Sequence, residues 1–186
     1  MTKVLLSKSR FVSGMQCEKK LYFDLYRKDL KPELSVQQEA LFATGHEIGH
    51  LAQQVYPGGK DATPDSYLDF SEAIDNTKQW IKDGVSTIYE AAFEYEGFLA
   101  ALDILHFNGN SLLAIEVKSS TSVKDYQIND ASFQYWLMSK AGYQPNKFYI
   151  MHINNKFVKD GEINLNELFI KTDITDIVKK RQEGIR

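Results

Sequence analysis

The sequence predicts a mixed α/β (α+β) fold in which a central mixed sheet of about four strands is flanked by helices. Three observations carry this expectation. Up to about residue 84, apolar side chains recur at helical spacing. Three consecutive stretches then read as strands separated by short turns. A helix followed by one more strand completes the order, which suits a sheet with antiparallel and parallel pairing.

Each element has its own signal. Phe11, Met15, Leu21 and Leu25 predict a helix from Ser9 to about Lys28, stopped by Lys31-Pro32-Glu33. Leu41, Ile48, Leu51, Ala52 and Val55 form the apolar stripe of a second helix, from about Val36 to Val55, ended by Pro57-Gly58-Gly59. A loop over 57–66 leads to a third helix from Phe70 to about Lys82. Thr87–Tyr95, Phe98–Phe107 and Ser111–Lys118 read as strands, with turns at Glu96-Gly97 and Asn108-Gly109-Asn110. Tyr126–Ala141 reads as a helix, Lys147–Ile153 as a strand, and the tail from about Asn164 as partly helical. With neither internal repeat nor linker, residues 1–186 are expected to form a single domain.

Composition narrows the class. Hydrophobic residues at 43% and charged residues at 25% are ordinary for a globular protein in water. No run of 18 apolar residues exists, so no membrane span is expected, and the stretch Met1 to Lys8 is too weakly apolar for a secretory signal. Cys17 is the sole cysteine, which excludes an intrachain disulfide and suits a cytoplasmic setting. The net charge of −3 is unevenly spread: residues 1–31 carry eight bases and three acids, a net of +5, against −8 for the remainder. A basic N-terminal segment can track phosphates or simply form a solvated helix face.

The second and third strands hold the chemistry. Side chains alternate along a strand, so Glu116 and Lys118 share a face and Val117 points away. The turn decides where Asp103 goes. A two-residue loop at Asn108-Gly109 makes Glu116 its diagonal neighbour, a Gly109-Asn110 loop puts the two directly opposite, and a three-residue loop separates them onto opposite faces. The Asn-Gly dipeptide favours the even-length loops. Two carboxylates and an ammonium among apolar residues are costly to bury unless paired or bound to metal. Hard oxygen ligands suit Mg²⁺ or Mn²⁺, with water and phosphate completing the shell. The plain alternative is an exposed strand face with a cross-strand ion pair.

Asp103 followed thirteen residues later by Glu116-Val117-Lys118 resembles the PD-(D/E)XK nuclease superfamily, within it the RecB-like, CRISPR-associated exonuclease branch. Leu6-Ser7-Lys8-Ser9-Arg10-Phe11 and Cys17-Glu18-Lys19-Lys20-Leu21-Tyr22 are similar to that branch's N-terminal helix. Tyr89-Glu90-Ala91-Ala92-Phe93 and Gly97 precede the Asp strand as in the family, and Asp130-Ala131-Ser132-Phe133-Gln134-Tyr135 stands where it has its Gln motif. The resemblance spans residues 5–150. It implies a restriction-endonuclease-like core, Asp103 and Glu116 as metal ligands, Lys118 as the catalytic lysine, and Gln134 at the active site or on the DNA. It leaves Glu90 either near the site or hydrogen-bonded inward. Three positions depart from the family pattern. The helical ligand four residues after a Gly, counted from Gly45, falls on Gly49; His50 or His46 is the substitute. Met138 stands where a Tyr often follows the Gln motif. Cys17 matches only the first of four cluster cysteines, so an iron–sulfur cluster held by this chain is excluded.

One motif competes. His46-Glu47-Ile48-Gly49-His50 is a literal H-E-x-x-H, as in zinc proteases. The extended form would want Gly and His where Gln53 and Tyr56 stand, leaving Glu72 as a downstream ligand. The expected function is thus a Mg²⁺- or Mn²⁺-dependent deoxyribonuclease acting on DNA, an exonuclease by resemblance. A zinc metalloprotease and a nuclease-like domain that binds DNA without cutting it are the alternatives. The chain is compatible with being the nuclease portion of a longer protein.

Overall fold

The computed structural model describes residues 6–67 and 69–185. Lys3, counted above in the basic segment, and most of the Met1–Lys8 stretch lie outside them. In chain order the elements are β1 (Leu6–Ser7), α1 (Lys8–Gln16), α2 (Glu18–Tyr26), a 3₁₀ turn, α3 (Val36–Gln53), β2 (Lys60–Asp61), α4 (Ser71–Lys82), β3 (Thr87–Tyr95), β4 (Phe98–Asn108), β5 (Ser111–Lys118), α5 (Asp125–Lys140), β6 (Lys147–Ile153), α6 (Leu165–Leu168), β7 (Phe169–Asp173) and α7 (Thr175–Lys180).

The sheet is mixed and flanked by helices, as expected, but among the described residues it has seven strands rather than about four. Its order is β2-β3-β4-β5-β6-β7, with β1 lying parallel to the first residues of β4. The extra strands escape a sequence reading for physical reasons. β1 and β2 are two residues each, too short to show an alternating pattern. β7 sits in the tail between two short helices and pairs antiparallel with β6.

Local chemistry sets the boundaries. Ser35 accepts the Gln38 N–H while the Gln38 side chain accepts the Ser35 N–H, a capping box that starts α3. The predicted first helix is broken: Cys17 is extended at φ −169°, ends α1 by donating its N–H to the Ser13 carbonyl, and leads into α2. Glu96 and Gly97 both have positive φ, the type I′ pattern that matches strand twist in a two-residue hairpin. At the next hairpin only Gly109 is left-handed, which makes the loop Gly109-Asn110 with Asn108 paired to Ser111.

The two faces of the sheet bury separate cores. α5 covers one, where Phe133, Leu137 and Met138 meet Ile88, Leu102, Leu105, Phe148 and Ile150. Phe133 also stacks on Phe11 at 4.4 Å between centroids, fastening α1 to α5. α3 covers the other face, where Ala52, Ile48, Leu51 and Val55 meet Tyr89, Ile104, Ile115 and Met151. Leu41, expected in the α3 stripe, is instead 69% exposed, because the N-terminal half of that helix borders an open pocket rather than packing on the sheet.

Candidate functional site

The site lies where the central strands part. The β4–β5 ladder runs from Asn108–Ser111 to Ile104–Ile115 and stops there. The register is the one that would set Asp103 directly opposite Glu116. The ladder does not include that pair, and the Val117 N–H donates instead to Asp103 Oδ2.

A second irregularity accompanies it. The β3–β4 ladder keeps one register throughout but omits the pair Glu90–Asp103. Ile88 and Ala91, three residues apart, both face the α5 core, as do Leu105 and Leu102 opposite them, while Tyr89 and Ile104 face the α3 core. Alternation therefore slips by one residue in both strands at the same level. The backbone achieves this at Glu90, whose φ is +51°. Glu90 and Asp103 thereby both line a pocket of about 560 Å³ beneath α3, together with Ile104. Phe42, Gly45, His46, Gly49, His50 and Gln53, spaced as one helical face, supply the opposite wall.

On the α5 side the expected residues meet. Lys118 Nζ donates to Glu116 Oε1 at 2.6 Å and to Asp130 Oδ2 at 2.9 Å. Gln134 Nε2 donates to Glu116 Oε2 at 2.8 Å, and both side chains are only 1% exposed. Lys8, at the start of α1, donates from Nζ to Glu116 Oε1 at 3.0 Å and to the Ala101 carbonyl at 3.4 Å. Its ammonium thus bridges the gap where β5 leaves β4. His50 and His46 reach the pocket wall but stand outside this hydrogen-bonded group. Glu47 does not line the pocket, and neither does Glu72.

Electrostatics divides the carboxyl groups. Glu116, although buried, is held down to about 2 by the Lys118 and Lys8 ammoniums and its hydrogen bonds. Asp103 is pushed up to about 7 by burial and by the neighbouring Glu116 charge, which outweigh the two lysines and the Val117 N–H. Glu90 is pushed up to about 8 by burial and by Asp103. Burial would lower the two lysines, but the surrounding carboxylates prevail and hold both above the ordinary range.

Five carboxyl groups (Asp61, Glu90, Asp103, Glu116, Asp130) and two ammoniums share this region, so negative charge is in excess when all are ionised. A divalent cation would offset that excess, and hard oxygen donors are the right type. In donor type and charge, the residues fit such an ion. Among the described residues, however, no three His, Cys, Asp or Glu side chains are drawn together into a ready ligand cage.

From the sequence Asp130 and Lys8 have no role of their own, and Glu90 is left either near the site or hydrogen-bonded inward. Asp130 carries a signal in hindsight, since it lies one turn before Gln134 on α5. Glu90 is adjacent in pattern to the Asp strand. Lys8 is one base among many in the N-terminal segment, and its insertion depends on the β1 pairing with β4.

No protein-family model matches the chain. No curated protein matches it in sequence. Solved structures do share its fold. One is an alkaline exonuclease from Laribacter hongkongensis, at a TM-score of 0.50 and 14% identity over 98% of this chain and 86% of that one. Another is a proposed exonuclease from Eubacterium rectale, at 0.51 and 14% over 98% and 77%. The chain thus shares the mixed α/β fold of these two structures. No helix among the described residues is long and apolar enough to cross a membrane.

Proposed function

We propose that the chain is a divalent-metal-dependent DNA nuclease that hydrolyses phosphodiester bonds. The observation that carries this reading is the set of pocket-lining carboxyls, Asp103 and Glu90 with Asp61 beside them, in a group with more acids than ammoniums. The fold shared with exonucleases supports it. Exonuclease action, and Mg²⁺ or Mn²⁺ as the ion, rest on the family resemblance.

In this reading Asp103 and Glu116 would hold the ion, which when bound would acidify a water and offset charge on the scissile phosphate. Lys118, kept charged by Glu116 and Asp130, directs an ammonium at the attacking water or at the negative charge that develops on phosphate. Gln134 fixes the Glu116 carboxylate from α5. His50 is a pocket-wall donor available to the ion or to DNA.

The test is cleavage of single-stranded and duplex DNA with Mn²⁺ or Mg²⁺. The wild type should cut, chelation should stop it, and Lys118→Ala should cut about 10² to 10³ times more slowly. Cutting that survives chelation, or that ignores Lys118, overturns the proposal. The two ammoniums on Glu116 support a second reading, a domain that binds DNA without cutting it. It predicts salt-dependent binding and no turnover with any divalent metal. The zinc-protease reading is disfavoured because Glu47 turns away from the pocket that His46 and His50 face.

A further inference from the structure

We infer that Lys8 is a positioning residue that competes with the divalent cation for Glu116, so that α1 sets the metal affinity of the site. The inference rests on the nuclease reading for the identity of the ion, but its observations are separate. Lys8 opens α1 and is placed by the pairing of Leu6 and Ser7 with Phe98 and Leu99, reinforced by the Leu6 N–H donating to the Gly97 carbonyl at 2.9 Å. Phe11, one turn further on, stacks on Phe133 and holds the helix in place.

The ammonium is thereby delivered to the β4–β5 gap, where it meets Glu116 Oε1 and the Ala101 carbonyl. Glu116 already carries two ammoniums on one oxygen, with Lys8 and Lys118 sharing Oε1, while Gln134 donates to Oε2. A cation that approaches this carboxylate meets both positive charges, and binding is eased when one of the two ammoniums moves away. Lys118 is retained by a second acid, Asp130. Among the described residues, Lys8 has no second acid in hydrogen-bond contact, its other partner being the Ala101 carbonyl, and its side chain is partly exposed, so it has a path outward. Two positive charges on one carboxylate oxygen repel strongly in a poorly solvated site. Lys8 is therefore the donor that yields, and cation binding loosens the start of α1.

Lys8→Met keeps the apolar stem and removes the charge. Titration calorimetry with Mn²⁺ should give at least tenfold tighter binding to folded Lys8→Met than to wild type, with Lys8→Arg close to wild type. Equal or weaker binding by folded Lys8→Met overturns the inference, since a lysine that merely held Glu116 in place for the metal would give that sign. Should Lys8→Met fail to fold, hydrogen exchange on the wild type decides. Amides from Ser7 to Phe11 should exchange faster when Mn²⁺ is saturating, and unchanged or slower exchange refutes competition. DNA cleavage measured on the same samples keeps the two ideas apart. A shift in Mn²⁺ affinity without cleavage by wild type supports the role of Lys8 and removes the nuclease reading. Absence of Mn²⁺ binding to both proteins removes both.

Discussion

Asp103→Asn should lose DNA cleavage while making the metal-free protein more stable. Asn is nearly isosteric and its carbonyl can still accept the Val117 N–H, so the hairpin is preserved. What disappears is a buried charge that burial and Glu116 disfavour. Relief of that cost should stabilise the metal-free fold at pH 8, where the wild-type carboxyl is ionised. Cleavage should fall at least about 100-fold, because a metal site contributes several kcal/mol to the transition state. Thermal melts without metal and initial rates with Mn²⁺ measure the two effects. A less stable variant, or one that cuts normally, would show that Asp103 is a structural acid.

Metal-free stability should decline between about pH 5 and pH 8. Asp103 and Glu90 have folded pKa values raised to about 7 and about 8, so between the unfolded and folded values the native state binds more protons than the unfolded chain. Stability then falls as pH rises through that window and levels off above it. Glu116 works in the opposite sense: its stabilisation is complete above its unfolded value and is lost as pH drops toward about 2, so it adds no slope between pH 5 and 8. A divalent cation that binds the ionised carboxylates should reverse the trend, raising the melting temperature more at pH 8 than at pH 6. Denaturant unfolding at several pH values, with and without Mg²⁺, measures both. A metal-free stability that climbs steadily from pH 5 to 8 would contradict this account of the acid cluster.

Parts of this site are legible in the residues alone, and the boundary has a physical origin. Glu116-Val117-Lys118 can be read because period-two alternation holds along β5, and the structure keeps Glu116 and Lys118 together with Val117 on the other face. Gln134 is legible only through the family resemblance, because a lone polar residue on a helix does not show which way it faces. Asp103 is harder, because its direction depends on which residues form a turn and on whether its neighbours keep alternating. The turn follows from the left-handed φ of Gly109, which two overlapping dipeptides leave open. The slip at Glu90 and Asp103 obeys no local pattern at all, since both strands shift together and the register is unchanged. Lys8 is set by a two-residue strand pairing across more than ninety positions of chain. Long-range placement of that kind has no periodicity to reveal it. For the same reason the fold class is accessible from apolar spacing, while β1, β2 and β7 are not.

The conformation of Glu90 sets up a tension between durability and use. A left-handed backbone costs a non-glycine residue about 1–2 kcal/mol, and here it occurs inside a strand and beneath an acid that resists ionising. Glycine at this position would relieve both burdens. Laboratory evolution screened for heat tolerance alone would be expected to drift toward Glu90→Gly, and the survivors would have an emptier pocket. Persistence of glutamate under a paired screen for cutting would mark it as a residue kept for what it does, at the expense of how firmly the protein folds.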